Sequence, residues 1–313
     1  MKKYFLCLLI ATFLTACNSG AMTPVQQTEI ADSIMVQIEG KQTSVALTLT
    51  PSVTPTPIPA TPTPTMTLTP TPTTTPTWVM VNKGQKVIVP ILMYHHILAG
   101  EKPARYETSP EMFKAQMNAL KEWGYTTITA AYLASIIRNG GELPEKPVVI
   151  TFDDGDIDVY QNAFPIMRDL GMVGSFYIVT NRLQSEGFVN ADQLREMAAA
   201  GWEIGSHSHS HIDLSQNHGA MEEEVRHSKE VLEEAIGMPV YTYAYPFGGF
   251  DSAVGNYTAA SGYIGGLGLG TSYIHSIHVV YYLSRLEVRG EFGMAEFSKL
   301  LPWSPVTTPI PIP

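Results

Sequence analysis

Cysteine is nearly missing from this chain, which has only Cys7 and Cys17, both close to its start. Everything beyond residue 17 therefore lacks a disulfide framework, a thiol nucleophile and a thiolate metal ligand. Positive charge is scarce as well: 19 Lys and Arg stand against 29 Asp and Glu, a formal net charge of -10 over 313 residues. Neither a basic stripe nor an aromatic-plus-arginine module is present, so nucleic acid is not an expected partner. A neutral or cationic substrate suits this balance better than a polyanion. Between Lys41 and Lys83 no charged residue occurs at all.

That uncharged span is dominated by Thr and Pro through residues 50–79. Proline fixes φ and removes a donor, so the stretch cannot build a ladder and favours extended polyproline II. It is expected to be a linker, preceded by a short segment of little periodicity at 17–49. Ahead of these, Met1-Lys2-Lys3 is a positive n-region, and Tyr4 to Phe13 is an apolar run too short to span a bilayer. It ends in Leu14-Thr15-Ala16-Cys17, which resembles the lipobox of bacterial lipoprotein signals. The resemblance implies a signal peptide at 1–16, lipid on Cys17, and an exported protein anchored to the cell membrane on its extracellular or cell-wall side. An ordinary secretory signal with an incidental cysteine is the other reading, and it also exports the chain. A folded domain is expected over 80–303, with a Pro-rich tail at 304–313.

Within that domain, strand and helix alternate about seven times, which argues for a parallel sheet, open or closed into a barrel. The first strand is read over Val87 to Tyr94. Ser109-Pro110-Glu111 starts a helix, with an N-cap, a proline at the first position and an acid in the first turn. Further helices are read from Ile157 to Leu170, interrupted near Pro165, and from Met221 to Ile236. In parallel α/β folds ligands collect at the carboxyl ends of the strands. His95, the Asp153-Asp154 pair, the histidines after Gly205 and the Pro246-Phe247-Gly248 turn all follow predicted strands, so they converge on one mouth.

The chemistry centres on Thr151-Phe152-Asp153-Asp154-Gly155, which closes the buried run Pro147 to Ile150. Two adjacent carboxylates push one pKa up unless a cation or an arginine lies close. Gly205-Ser206-His207-Ser208-His209-Ser210-His211 offers a cation site. His207 and His211 are four apart and can face one point in a helix or a tight loop, with His209 facing away. Two imidazoles and one carboxylate leave an open position, the pattern of a catalytic Zn²⁺ site, although other borderline divalent metals suit the same set. The second aspartate stays free as a base.

These motifs, with Ile91-Leu92-Met93-Tyr94-His95, Ala244-Tyr245-Pro246-Phe247-Gly248 and Leu283-Ser284-Arg285-Leu286, resemble the polysaccharide deacetylase family (NodB-homology domain, carbohydrate esterase family 4). The resemblance implies an α/β fold, a distorted (β/α)7-type barrel with its active site at the C-terminal ends of the strands. It implies Asp154, His207 and His211 as ligands of a divalent metal, Zn²⁺ first, and Asp153 as general base. The implied substrate is an N-acetylated, GlcNAc-type cell-wall or extracellular polysaccharide, whose acetyl carbonyl is attacked by metal-bound water. The Phe247 backbone N–H would donate to the oxyanion.

Two departures from the family pattern stand out. Its third motif often opens with an arginine that holds the base, and here Ala244 takes that place. Arg285 is the candidate to supply the charge from another strand, against the alternative of an ordinary surface ion pair. The late Leu-x-His motif that carries the general acid is not evident, so His275 is ranked first for that role and His95 second. Trp202, inside a predicted strand, is expected in the core. The competing functions are a non-catalytic sugar-binding surface lipoprotein and an O-acetyl, xylan-type esterase.

Overall fold

The computed structural model describes residues 77–100 and 104–305. The expected signal peptide, Cys17, the 17–49 segment, the linker up to residue 76 and the tail from residue 306 lie outside the described residues.

In chain order the first strands are β1 (Trp78–Val81), β2 (Val87–Ile88), β3 (Ile91–Tyr94), β4 (His96–Ile97) and β5 (Glu107–Thr108). They are followed by β6 (Thr126–Ile128), β7 (Gly141–Pro144), β8 (Pro147–Phe152), β9 (Ser175–Ile178) and β10 (Glu203–Ser206). The last are β11 (Thr242–Ala244), β12 (Gly265–Leu267), β13 (Ile274–His275) and β14 (Leu286–Glu287). Folded structure begins earlier than the expected linker end at residue 79, because β1 pairs antiparallel with β7 from Trp78 onward.

An eight-stranded sheet runs in the order β12-β11-β10-β9-β8-β3-β14, with β6 paired to the start of β8. Every pairing in it is parallel. The sheet curls: Leu267 of β12 bridges in parallel to Leu283, and the Leu283 N–H donates to Gly266 O at 2.8 Å. The edge of β12 thus meets the segment that leads into β14, giving the expected distorted (β/α) barrel. The predicted first strand is broken at Pro90, which has no N–H for a ladder. Its first half pairs with β13, and only the second half, β3, enters the barrel.

Helix α1 (Pro110–Glu122) starts as its sequence requires: Ser109 Oγ accepts the Met112 N–H at 3.2 Å, and Phe113, Met117 and Leu120 form the buried face. Next come α2 (Ala130–Asn139), α3 (Phe164–Asp169), α4 (Ala191–Ala199), α5 (Ser228–Ile236), α6 (Ser252–Ala260) and α7 (Met294–Lys299). Both long helices expected from the pattern begin instead with a π-helical turn, Val159–Ala163 before α3 and Glu222–His227 before α5.

Side chains alternate across a strand, and the alternation divides the core in two. Val148, Ile150 and Phe152 of β8 pack outward with Phe113, Met117 and Leu120 beneath the helices. Val149 joins Ile91, Tyr177, Ala244 and Leu267 in a smaller cluster on the other face. Trp202 is core as expected, stacked on Phe152 with centroids 5.6 Å apart. The parity of Val149 continues through Thr151 to Asp153, that of Ile91 through Met93 to His95, and that of Glu203 through Gly205 to His207. The barrel interior therefore delivers these three polar side chains to one end.

Candidate active site

Asp153 continues the inward parity of β8, but by strict alternation Asp154 would point outward. It does not, because Asp154 adopts φ 75°, a left-handed conformation that Asp tolerates better than most side chains. Both carboxylates consequently line one cavity of about 210 Å³, together with His95, His96, His207, His211, Phe247 and Arg285. His207 and His211 meet through a tight loop rather than a helix. Ser208 and His211 have φ 71° and 60°, and the His211 N–H donates to Ser208 Oγ at 2.8 Å. Buried Glu224 braces the loop by accepting the N–H groups of His209 and Ser210 at 3.0 and 2.8 Å.

The two aspartates are given different partners. Arg285 Nη1 lies 2.6 Å from Asp153 Oδ1, and its Nε donates to Gly268 O at 3.0 Å. Burial pushes the Asp153 carboxyl up, but the Arg285 charge, His207 and the Arg285 hydrogen bond outweigh it and hold the group well below the usual carboxylate range. Arg285 thus stands where the sequence asked for a charge, buried rather than on the surface.

Among the described residues Asp154 has only a distant arginine, Arg182 Nη1 at 3.8 Å from Oδ1, while His207 Nε2 stands between the two carboxylates, 3.7 Å from Asp153 Oδ2. Asp154 Oδ1 lies 3.4 Å from His211 Nε2 and 3.9 Å from His207 Nε2. That oxygen is buried and has no hydrogen-bond partner among the described residues. His207 Nδ1 donates to Ala244 O at 2.8 Å, which leaves Nε2 as the nitrogen that faces Asp154. An orphaned carboxylate oxygen between two imidazole nitrogens is a donor set that fits a divalent metal.

His275 is not brought to this cavity, which corrects its ranking as proton donor. It is buried in β13, with Nε2 3.0 Å from Val89 O, and burial lowers its pKa to about 4. The structure places His95 at the cavity instead, its pKa lowered by burial and its ring 4.5 Å from that of Tyr106. Phe247 has φ 58°, packs its ring against His211 at 4.6 Å and remains 66% exposed at the mouth.

Some lining residues escaped the sequence reading. Tyr106, Leu269 and Glu287 line the cavity, and Arg105 pairs with Glu287 across its edge at 2.5 Å. No local pattern marks them. A clue did exist for Asp156 and Asp158, which continue the carboxylate run. His96 Nδ1 lies 3.1 Å from Asp158 and its Nε2 3.8 Å from Asp156. The Asp158 hydrogen bond raises the His96 pKa to about 9, and the charged ring fastens the segment after β3 to the segment after β8.

With the geometry in place, comparison with known proteins gives a consistent result. Residues 140–265 match the family model described as polysaccharide deacetylase. That range holds Asp153, Asp154, His207, His211 and Phe247, whereas His95 and Arg285 lie outside it. A solved Bacillus anthracis protein assigned as a polysaccharide deacetylase is similar at 30% identity and a TM-score of 0.61, over 70% of this chain and 69% of that one. The Bacillus subtilis protein YxkH, assigned to the same activity, is 28% identical over 59% of this chain and 65% of its own length. A poly-β-1,6-N-acetyl-D-glucosamine N-deacetylase of Staphylococcus aureus is 28% identical over 46% of this chain and 54% of its own. The match thus spans between about half and two thirds of these curated relatives. Fold, motif order and similarity agree, and the chain belongs to the polysaccharide deacetylase family.

Proposed function

We propose that the chain removes acetyl groups from an N-acetylglucosamine-type polysaccharide by hydrolysis of the amide. One observation carries this reading: two adjacent aspartates are bonded differently, Asp153 to buried Arg285 at 2.6 Å, whereas a buried Asp154 oxygen has no hydrogen bond among the described residues and lies 3.4 and 3.9 Å from two imidazole nitrogens. One is thereby kept ionised and free, and the other is set to bind. Pairs of carboxylates driven apart in this way divide acid–base work from binding.

Asp154, His207 and His211 would hold the metal, with Zn²⁺ first by donor type. When bound, it acidifies a water and polarises the acetyl oxygen. Asp153, held ionised by Arg285, accepts the proton of the attacking water. The Phe247 N–H is the donor offered to the acetyl oxygen, since the next two N–H groups of its turn are already bonded to Tyr245 O and Pro246 O. His95, charged by the proton that Asp153 has taken from the water, hands a proton to the sugar nitrogen as the C–N bond breaks, leaving acetate and a free amine. Exposed Phe247 and Tyr106 at the mouth offer ring faces to neighbouring sugars.

The proposal extends to location. The n-region, apolar run and Cys17 support export and a lipid anchor, and the Thr/Pro stretch supports a spacer toward the cell wall. Substitution Cys17→Ser should move the protein from the membrane fraction to the medium.

The reaction is tested by acetate release from an N-acetylglucosamine oligomer, using the full chain metal-stripped, zinc-loaded and as Asp153→Asn. Zinc-dependent release that vanishes in the variant is expected. A folded, zinc-bound chain that deacetylates only O-acetyl xylan, or nothing, would sink the reading.

A further inference from the structure

We infer that the chain carries a second divalent-metal site outside the cavity, built from His209, Glu223 and His227. Glu223 and His227 sit four residues apart on the π-helical turn before α5, with His227 Nε2 3.7 Å from Glu223 Oε1. The histidine loop brings His209 Nε2 to 3.6 Å from the same oxygen. All three ligand atoms lie within 4.8 Å of one another.

Those spacings are as tight as the 3.4 and 3.9 Å of the cavity cluster. Donors bonded to a tetrahedral zinc at ~2.0–2.1 Å stand about 3.3 Å apart, so the two histidine distances to the Glu223 oxygen need to close by roughly a few tenths of an ångström. His209 is already oriented for the task. Its Nδ1 lies 2.9 Å from Thr180 Oγ1, which leaves Nε2 to face Glu223, the second hydrogen bond usual for a ligating histidine.

The frame is fixed as well. Glu224, next to Glu223, holds the N–H groups of His209 and Ser210 and so ties the loop to the helix that bears the other two ligands. Glu222 does not compete, being engaged with Arg226 and with the Tyr257 hydroxyl. Two imidazoles and one carboxylate select a borderline cation such as Zn²⁺ over Mg²⁺ or Ca²⁺. The partly exposed carboxylate leaves the remaining positions to water. A cation held there fastens the loop that carries His207 and His211 to α5. The inference does not depend on the proposed activity.

The test is zinc stoichiometry by equilibrium dialysis of the tag-free, metal-stripped full chain. His227→Gln, at a half-exposed position that tolerates replacement, is expected to bind one equivalent fewer than the parent. In an Asp154→Asn/His211→Asn background, which disables the cavity cluster, one equivalent should persist and then disappear on adding His227→Gln. Asparagine suits both cavity positions, since it tolerates their positive φ. Unchanged stoichiometry on His227→Gln in both backgrounds, with native far-UV circular dichroism, would overturn the inference.

Discussion

Arg285 Nη1 lies 2.6 Å from Asp153 Oδ1 although the two residues are 132 apart in sequence, and both side chains are almost wholly buried. A buried pair is strongly destabilised when one partner is removed, by about 3–5 kcal/mol. Arg285→Met should therefore lower stability by that order in urea denaturation. It should also raise the Asp153 pKa, so that the ionised base is lost at higher pH and the acid limb of acetate release moves upward. Arg285→Lys keeps the charge but gives up the fork that also reaches Gly268 O. It should fold, with a smaller shift of the acid limb.

The proton donor can be separated from the base by its leaving group. His95→Gln should lower kcat for the N-acetyl oligomer by roughly 10²–10⁴, the usual worth of general acid catalysis. With p-nitrophenyl acetate, whose leaving group departs without protonation, the loss should stay below roughly tenfold. Equal losses on both substrates would remove His95 from that role.

His275 should matter for stability and not for turnover. Its folded pKa is about 4 against an ordinary value of 6.5, so between those values the unfolded chain holds the extra proton. Stability therefore falls as pH drops from 6.5 to 4, and no further loss from this group follows below 4. The full loss is about 3 kcal/mol at 1.36 kcal/mol per unit. His275→Gln should flatten this part of the acid limb in denaturation curves while leaving kcat/KM near neutral pH unchanged.

Gly205 in β10 faces the ring of Tyr177, and a Cβ there would lie 2.3 Å from the ring carbon Cε1. Tyr177 is fully buried and its hydroxyl hydrogen-bonds Thr242 Oγ1 at 2.8 Å, so the ring cannot withdraw without breaking that bond. Gly205→Ala should cost about 1–3 kcal/mol by overpacking. In a Tyr177→Leu background the same change should cost clearly less, because the two sites share one volume. Melting temperatures of the four proteins of this cycle decide it.

Much of this was present in the chain as local chemistry. Ser109-Pro110 starts its helix through a cap and a fixed φ, and Pro147 to Ile150 reads as a buried parallel strand because both of its faces are apolar. The order of the motifs after successive strands was enough to predict a shared mouth, since parallel strands all present their carboxyl ends to one side. The tertiary structure decided what spacing cannot express. Asp154 turns into the cavity only through its φ of 75°, and His211 returns to it only through two left-handed residues in its loop. Arg285 reaches Asp153 from beyond the intervening β3, and His95 stands at the cavity where His275 does not, because long crossovers bring together strands far apart in sequence. Side-chain parity and chain caps are properties of a few consecutive residues, whereas partners across a barrel exist only once the barrel has closed.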